Sequence, residues 1–180
     1  QTCALPILIR QMVDQTPILG AVVMTRIRQV KRFCRVQMGG VGPGFQVKLK
    51  NPSSNKLKKE EQESIQLLQG FLTNCGWENN PRQRQRLKRD NFSGFMSKFI
   101  RDSLVLDSAP IETEFKRDRS LGLDGFYAVD GATIRLCSED GYRGDDEIFA
   151  LQVIQGNIRA AYTYDDLIYV PRNPRTDVNN

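Results

Sequence analysis

IFALQVIQGNIRAAY, residues 148–162, contains the pattern that decides the fold class. Two apolar runs, Ile148–Ile154 and Ile158–Tyr162, flank Gln155-Gly-Asn157, a connection typical of a β-hairpin. The alternation of apolar and polar residues begins at about Ala109, so the second part of the chain predicts an antiparallel sheet. Its other predicted strands lie at Ile111–Phe115, Gly125–Val129, Thr133–Leu136 and Asp166–Val170.

The first part of the chain has helical periodicity instead. Thr16-Pro17 predicts an N-cap and the first turn of a helix that continues to Cys34, and Ser64–Cys75 predicts a second helix with Gly76 as its C-cap. Helices first and strands second indicate an α+β domain in which amphipathic helices precede an antiparallel sheet. A third helix is built on Phe92, Phe95, Phe99, Leu104 and Leu106, and a short strand is predicted over Phe45–Leu49.

The composition excludes several classes of enzyme. The 180 residues include no histidine, which removes Ser-His-Asp triads, Cys/His pairs and histidine-bearing zinc sites. The four cysteines form no CxxC pair and are interpreted as free thiols in a reducing compartment. No apolar run approaches the roughly 20 residues of a membrane span. We therefore expect no catalytic residues, no cofactor and no membrane partner.

Charge is divided unevenly along the chain. Residues 1–101 contain 18 basic and 6 acidic side chains, whereas residues 102–180 contain 8 basic and 15 acidic ones, giving +12 and −7 and the net +5. A basic part beside an acidic part favours either a nucleic-acid face or contacts between copies of the chain.

The strongest basic cluster lies between the second and third predicted helices. It predicts a patch that contacts either DNA phosphates or a neighbouring subunit, although a merely solvated charge run has the same pattern. We call this cluster the basic octet because it spans the eight residues 82–89. Its basic residues are Arg82, Arg84, Arg86, Lys88 and Arg89.

Two weaker motifs bear on possible chemistry. Glu112 and Glu114 lie on one face of a predicted strand, as ligands of a two-metal nuclease would. The other carboxylates of this part of the chain include Asp102 and are typical mainly of turns, as at Asp130 and Asp140, and of a solvated loop, as at Asp145-Asp146-Glu147. Residues 39–44, GGVGPG, resemble a phosphate loop only superficially, because they follow a helix, include Pro43 and lack GK[ST].

The first seven residues are interpreted as foreign to the protein. Gln1-Thr-Cys-Ala-Leu-Pro-Ile7 can be written as CAG ACG TGT GCT CTT CCG ATC, the reading frame of a widely used sequencing adapter. We therefore expect residues 1–7 to be an adapter artefact and residues 8–180 to be a partial domain, cut shortly after its last strand.

Several blocks in this order and spacing resemble the N-terminal half of tailed-bacteriophage portal proteins. The resemblance covers about residues 8–178. The blocks are Asp14–Leu19, Ile100–Leu106, Pro110–Glu114, Val129–Arg135, Gln152-Val153 with its hairpin, and Asp165–Arg175.

This resemblance implies a portal wing-like fold and a structural subunit of a ring, usually of twelve copies, at one vertex of the capsid. Double-stranded DNA passes through such a ring during packaging and ejection. The implied partners are other portal subunits, terminase, capsid and head-tail connector proteins, and the implied location is the virion after assembly in the host cytoplasm. The stem, the clip and the C-terminal part of the wing are expected to be missing from residues 8–180.

An alternative function remains open from the residues alone. A nucleic-acid-binding or metal-dependent DNA-processing protein of a mobile element would use the basic octet as its DNA face and Glu112 and Glu114 as metal ligands.

Overall fold

The computed structural model describes residues 5–37, 40–51, 58–77, 90–137, 142–145 and 147–173. Within these residues four helices are followed by six strands, which confirms the predicted α+β class. The helices are α1 Leu5–Gln15, α2 Pro17–Lys31, α3 Lys59–Thr73 and α4 Phe92–Val105. The strands are β1 Ile111–Phe115, β2 Leu123–Ala128, β3 Ile134–Leu136, β4 Ile148–Ile154, β5 Asn157–Thr163 and β6 Leu167–Ile168.

A single residue, Thr16, separates α1 from α2. It has extended backbone angles, and Pro17 takes the first helical position, where a missing N–H costs nothing. The Thr16 hydroxyl donates a hydrogen bond to the carbonyl of Met12 at 2.7 Å, so it serves the end of α1. The two helices consequently meet at a sharp bend of 95°.

The end of α3 differs from the predicted one by one residue. Cys75, and not Gly76, is the residue in the left-handed conformation, with φ of 52°. The Gly76 N–H bonds to the Phe71 carbonyl at 2.9 Å and the Cys75 N–H to the Leu72 carbonyl at 3.3 Å, the two bonds of a Schellman motif. Gly76 is then free to bridge Gly125 in β2.

Helix α4 begins where its sequence provides a cap, because the Asn91 side chain accepts a hydrogen bond from the Gly94 N–H at 2.8 Å. Its Phe95 ring is 5% exposed and meets Phe126 of β2 edge-to-face at 4.9 Å. This contact belongs to an aromatic row that joins the helices to the first sheet. In order, its rings are Phe45, Phe92, Phe95, Phe126, Phe71 and Trp77.

The strands form two antiparallel sheets of three, where the sequence alone suggested one antiparallel sheet. The first has the order β2-β1-β6 and the second the order β3-β4-β5. Between β2 and β3, Asp130 accepts a hydrogen bond from the Ala132 N–H and starts a 3-10 turn, Gly131–Thr133, that carries the chain from one sheet to the other. Asp130 is thus the turn residue that the sequence suggested.

The core lies where the two sheets meet, and both sheets contribute to it. Its buried residues are Val129, Ile134, Ala150, Tyr162 and Leu167. Tyr162 also joins the sheets by a polar contact, since its hydroxyl donates to Glu112 Oε2 in β1 at 3.2 Å. Burial, followed by the charge of Glu112, raises the pKa of the Tyr162 phenol, so the hydroxyl remains a donor.

The predicted hairpin is confirmed, with a two-residue turn. Ile154 pairs with Asn157, and Gln155 and Gly156 both have positive φ, of 51° and 80°, as a type I′ turn requires. The register shifts between Gln152 and Val153, so Arg159 of β5 has no partner in β4 and forms a bulge.

Two local predictions were wrong. Helix α3 starts at Lys59, five residues before Ser64, because the Lys58 N–H finds a partner in Glu61 Oε2 at 2.8 Å. Phe45–Leu49 is not a strand: Phe45 alone forms a bridge to Val36, and its ring packs on Phe92 at 5.4 Å. Helix α1, which no pattern predicted, begins inside residues 1–7, whose assignment to an adapter stays a prediction.

Replacing Leu167 by Ala should lower the free energy of unfolding by about 2 to 5 kcal/mol, because the side chain is 1% exposed in the core. Ile168→Ala is the matched control on the other face of β6, where the side chain is 46% exposed, and it should cost less than about 1 kcal/mol. Urea denaturation of both variants measures the difference. Equal losses would contradict the placement of the core.

Candidate functional site

The N-terminal helices have an unusually exposed apolar surface. Helix α1 has 11 residues and α2 has 15, yet Ile27 is the only buried residue in the two helices. Ile18 is 76% exposed and Met12 is 65% exposed. The exposed apolar side chains at helical spacing, here called the apolar stripe, are Leu8 and Met12 in α1 and Ile18, Leu19 and Val22 in α2.

The inner side of α2 packs on the rest of the chain. Val23, Ile27 and Val30 recur at the spacing of one helix face and are turned away from solvent. Cys34 continues this line after the helix: it is buried, and its thiol donates to the Val30 carbonyl at 3.3 Å. Burial raises the pKa of this thiol, which keeps Cys34 protonated and favours the structural interpretation of the cysteine.

Ion pairs connect helix α1 to α4 and to the turn between the sheets. Arg10 lies 2.9 Å from Asp102 in α4 and 2.6 Å from Asp130 in the turn between the sheets. Asp102 is 8% exposed and also accepts a hydrogen bond from the Gly131 N–H at 2.9 Å. A second ion pair, Arg101–Asp14 at 2.7 Å, joins α4 to the C-terminal half of α1. These contacts fix the position of the apolar stripe relative to the sheets.

The two carboxylates around Arg10 differ in pKa because their surroundings differ. Burial raises the pKa of Asp102, and the Gly131 N–H and the charge of Arg10 offset only part of that increase. Burial also acts on Asp130, but hydrogen bonding and the charge of Arg10, with the Ala132 N–H, outweigh it and lower its pKa. The hydrogen bond to Asp130 raises the pKa of Arg10 in turn, so the guanidinium stays charged.

Nothing in the sequence identified Arg10 as a partner of Asp102 and Asp130. Asp102 and Asp130 lie 92 and 120 positions after Arg10, and no local pattern links charges at such separations. Asp130 was assigned as a turn residue, and Asp102 was noted only as one carboxylate among many.

The basic octet, Arg82, Arg84, Arg86, Lys88 and Arg89, lies outside the described residues. Its aromatic neighbours lie within them and are engaged in the protein. The Trp77 ring packs on Phe71 at 4.7 Å and its indole N–H donates to the Leu123 carbonyl, while Phe92 packs between Phe45 and Phe95. Neither ring is therefore arranged as a base-stacking platform.

Glu112 and Glu114 lie in β1, as predicted, and each accepts a hydrogen bond from a tyrosine. Tyr162 donates to Glu112 and Tyr127 donates to Glu114. In the part of the chain that the structure describes, no group of three Cys, Asp or Glu side chains is arranged to hold a metal ion. The geometry thus gives the two glutamates a structural role between strands and sheets.

The glycine-rich segment has a structural use. Gly44 lies so close to the Arg35 carbonyl that a Cβ atom there would be 2.8 Å from it. This approach lets the Phe45 N–H bond to the Arg35 carbonyl at 2.9 Å, which returns the chain to the end of α2. The described part of the loop therefore positions Phe45 for the aromatic row.

Length and apolar composition decide whether any of the described helices could span a membrane. No single one is long and apolar enough to cross a bilayer, whereas α1 and α2 taken together reach the required length and composition but are bent by 95° at Thr16.

No family model matches the chain. Among curated proteins, the probable portal protein of Staphylococcus phage Twort is 29% identical over 168 residues, which cover 91% of this chain and 28% of the relative. The probable portal protein of Enterococcus phage phiEF24C is 30% identical over 168 residues, covering 89% of this chain and 27% of the relative. The resemblance to phage portal proteins is confirmed. The chain spans about a quarter of the length of these relatives.

The stability of the folded chain should depend more on Asp130 than on Asp102. At pH 7, Asp130→Asn should lower the free energy of unfolding by about 1 kcal/mol, a value reduced for its partial exposure, because it removes a charge that Arg10 stabilises. Asp102→Asn should cost less, since Asn still accepts from the Gly131 N–H and no buried charge remains.

The pH dependence follows from the direction of each pKa. The lowered pKa of Asp130 contributes stability above about pH 4, and that contribution is lost as the pH falls through the pKa of the folded state. The raised pKa of Asp102 has the opposite sign. Urea denaturation of the two variants from pH 7 to pH 3 measures both effects, and a larger loss for Asp102→Asn at pH 7 would contradict them.

Proposed function

We propose that this chain is part of a portal subunit, a structural component of the phage virion at the capsid vertex. The observation that carries the proposal is the similarity to two probable portal proteins over about nine-tenths of the chain. The partners proposed with it are other portal subunits, the double-stranded DNA that passes through their ring, and terminase, capsid and head-tail connector proteins. Assembly would take place in the bacterial cytoplasm.

The apolar stripe is the surface that best suits contact between subunits. Exposed apolar side chains clustered on two adjoining helices are characteristic of protein interfaces, because a monomer gains nothing from leaving them in water. In a closed ring each copy presents different faces to its two neighbours, so one copy's helices meet a different surface of the next. The ring and its twelve copies belong to this proposal.

The triple substitution Ile18→Ser, Leu19→Ser and Val22→Ser should weaken assembly of the ring, because it removes three exposed apolar side chains from the proposed contact. The reading frame that contains residues 8–180, carried to its stop codon, provides the protein for the test. Negative-stain electron microscopy and native mass spectrometry should show rings for the parent protein and a shift toward monomers for the variant.

The matched control places serine at three exposed apolar residues elsewhere, Leu121, Leu136 and Val170. Rings should persist in this variant. A parent protein that forms no ring, in a genome that encodes no terminase or capsid protein beside it, would contradict the portal proposal. Rings that survive the α2 substitutions would instead contradict only the assignment of the stripe.

The proposed role is structural and includes no catalysis. Purified chain incubated with Mg²⁺ or Mn²⁺ should neither nick duplex DNA nor hydrolyse ATP, since both β1 glutamates accept hydrogen bonds from tyrosines. Gel electrophoresis of supercoiled plasmid and a phosphate-release assay provide the measurement. Nicking that disappears in Glu112→Gln would favour the DNA-processing alternative.

A further inference from the structure

The second half of α2 and the residues after it carry a cluster of cations. Arg28, Lys31 and Arg32 are spaced i, i+3 and i+4, so they lie on one side of the helix end, and Arg35 follows three residues later. All four residues are exposed. We call them the basic ridge. It is distinct from the apolar stripe, which occupies α1 and the first half of α2.

The basic ridge lies in a stretch without acidic residues. Between Asp14 and Glu60 the sequence has ten Lys and Arg side chains and no Asp or Glu. Among the residues that the structure describes, the ion pairs of the chain involve other cations, and none includes a member of the ridge. Arg35 Nε donates to the Pro43 carbonyl at 3.3 Å, which leaves its charge uncompensated.

Four carboxylates of the acidic part of the chain, by contrast, lie beside cations in the residues that the structure describes. Asp102 and Asp130 share Arg10. Asp165 and Asp166 lie 3.9 Å and 3.1 Å from Arg119. In a second copy these four carboxylates would meet the ridge already paired, whereas a regular row of phosphates matches a row of cations that have no ion-pair partner among the described residues.

We propose that the basic ridge binds the phosphate backbone of duplex DNA without regard to sequence. From Arg28 to Arg32 the helix rises about 6 Å, which spans about two phosphates of one strand at about 3.4 Å of axis each. Guanidinium groups pair with phosphate oxygens through two parallel hydrogen bonds, and each such contact releases a condensed counterion. The inference deepens the proposed function, on which it rests for the choice of duplex DNA, by naming the side chains that contact the DNA, and its test needs no ring.

Three variants with the same change in net charge test the proposal. The ridge variant carries Arg28→Gln, Lys31→Gln and Arg32→Gln. The matched control carries Arg117→Gln, Arg159→Gln and Arg172→Gln, which are exposed residues of other elements. A third variant, Arg84→Gln, Arg86→Gln and Arg89→Gln, measures the contribution of the basic octet. Circular dichroism confirms that each variant is folded.

Fluorescence anisotropy with a labelled 20-base-pair duplex of random sequence measures the dissociation constant between 50 and 200 mM NaCl. Loss of three phosphate contacts should make the negative slope of log K against log salt shallower by about 2.7. Between 50 and 200 mM NaCl, this difference in slope amounts to a factor of about forty in affinity. The control variant should keep the slope of the parent chain.

Three results would overturn the proposal. The parent chain could fail to bind duplex DNA at 50 mM NaCl, or the ridge variant could retain the parent slope while the octet variant loses it. The third is that the ridge variant loses self-association in analytical ultracentrifugation but binds DNA as before, which would assign the ridge to a contact between copies of the chain.

Discussion

The edge-to-face contact between Phe95 and Phe126 connects the helical part of the molecule to its sheets. Phe95 belongs to the helix on which α1 and α2 rest, and Phe126 belongs to the strand that pairs with β1. A pair of this geometry adds about 0.5 to 1.5 kcal/mol to the burial of the two rings. The rest of the aromatic row extends this connection between helices and sheets, through Phe71 to α3 and through Phe45 to the end of α2. The exposed surfaces of the N-terminal helices are consequently held at a fixed place relative to the core.

The two N-terminal helices are attached by different physical means. Helix α2 presents apolar side chains, with Ile27 buried at their centre, so its attachment depends on removing hydrocarbon from water. Helix α1 has no buried residue and depends on Arg10, whose two carboxylate partners come from α4 and from the turn between the sheets. Acid therefore acts on the two helices differently, since protonating Asp130 weakens only the attachment of α1.

Local signals in the sequence were sufficient for most of the fold. Period-two alternation located β1 and β4, and the Gln155-Gly156 turn identified the hairpin. The sequence could not place Cys75 in a left-handed conformation that glycine usually takes, because this depends on Gly76 lying against Gly125. Nor could it divide the strands between two sheets, since that division depends on how side chains far apart in sequence pack together.

The candidate site was less predictable than the fold for the same reason. Exposure of the apolar stripe is a tertiary property, and amphipathic periodicity alone does not tell which apolar residues remain in water. The pairing of Arg10 joins positions 92 and 120 residues apart. Only the distribution of ion pairs in the structure distinguishes the cations of α2 from other exposed charges. The basic octet remains a prediction from the sequence.

The bulge at Arg159 limits how copies of this chain can meet. Strand β5 pairs only with β4 among the described strands, and a flat outer strand is a template on which another chain can add hydrogen bonds. The unpaired Arg159 interrupts the ladder, adds local twist and places a positive charge in the middle of that edge. Edge-to-edge addition of further strands, the step by which exposed edges lead to fibres, is thereby obstructed at β5.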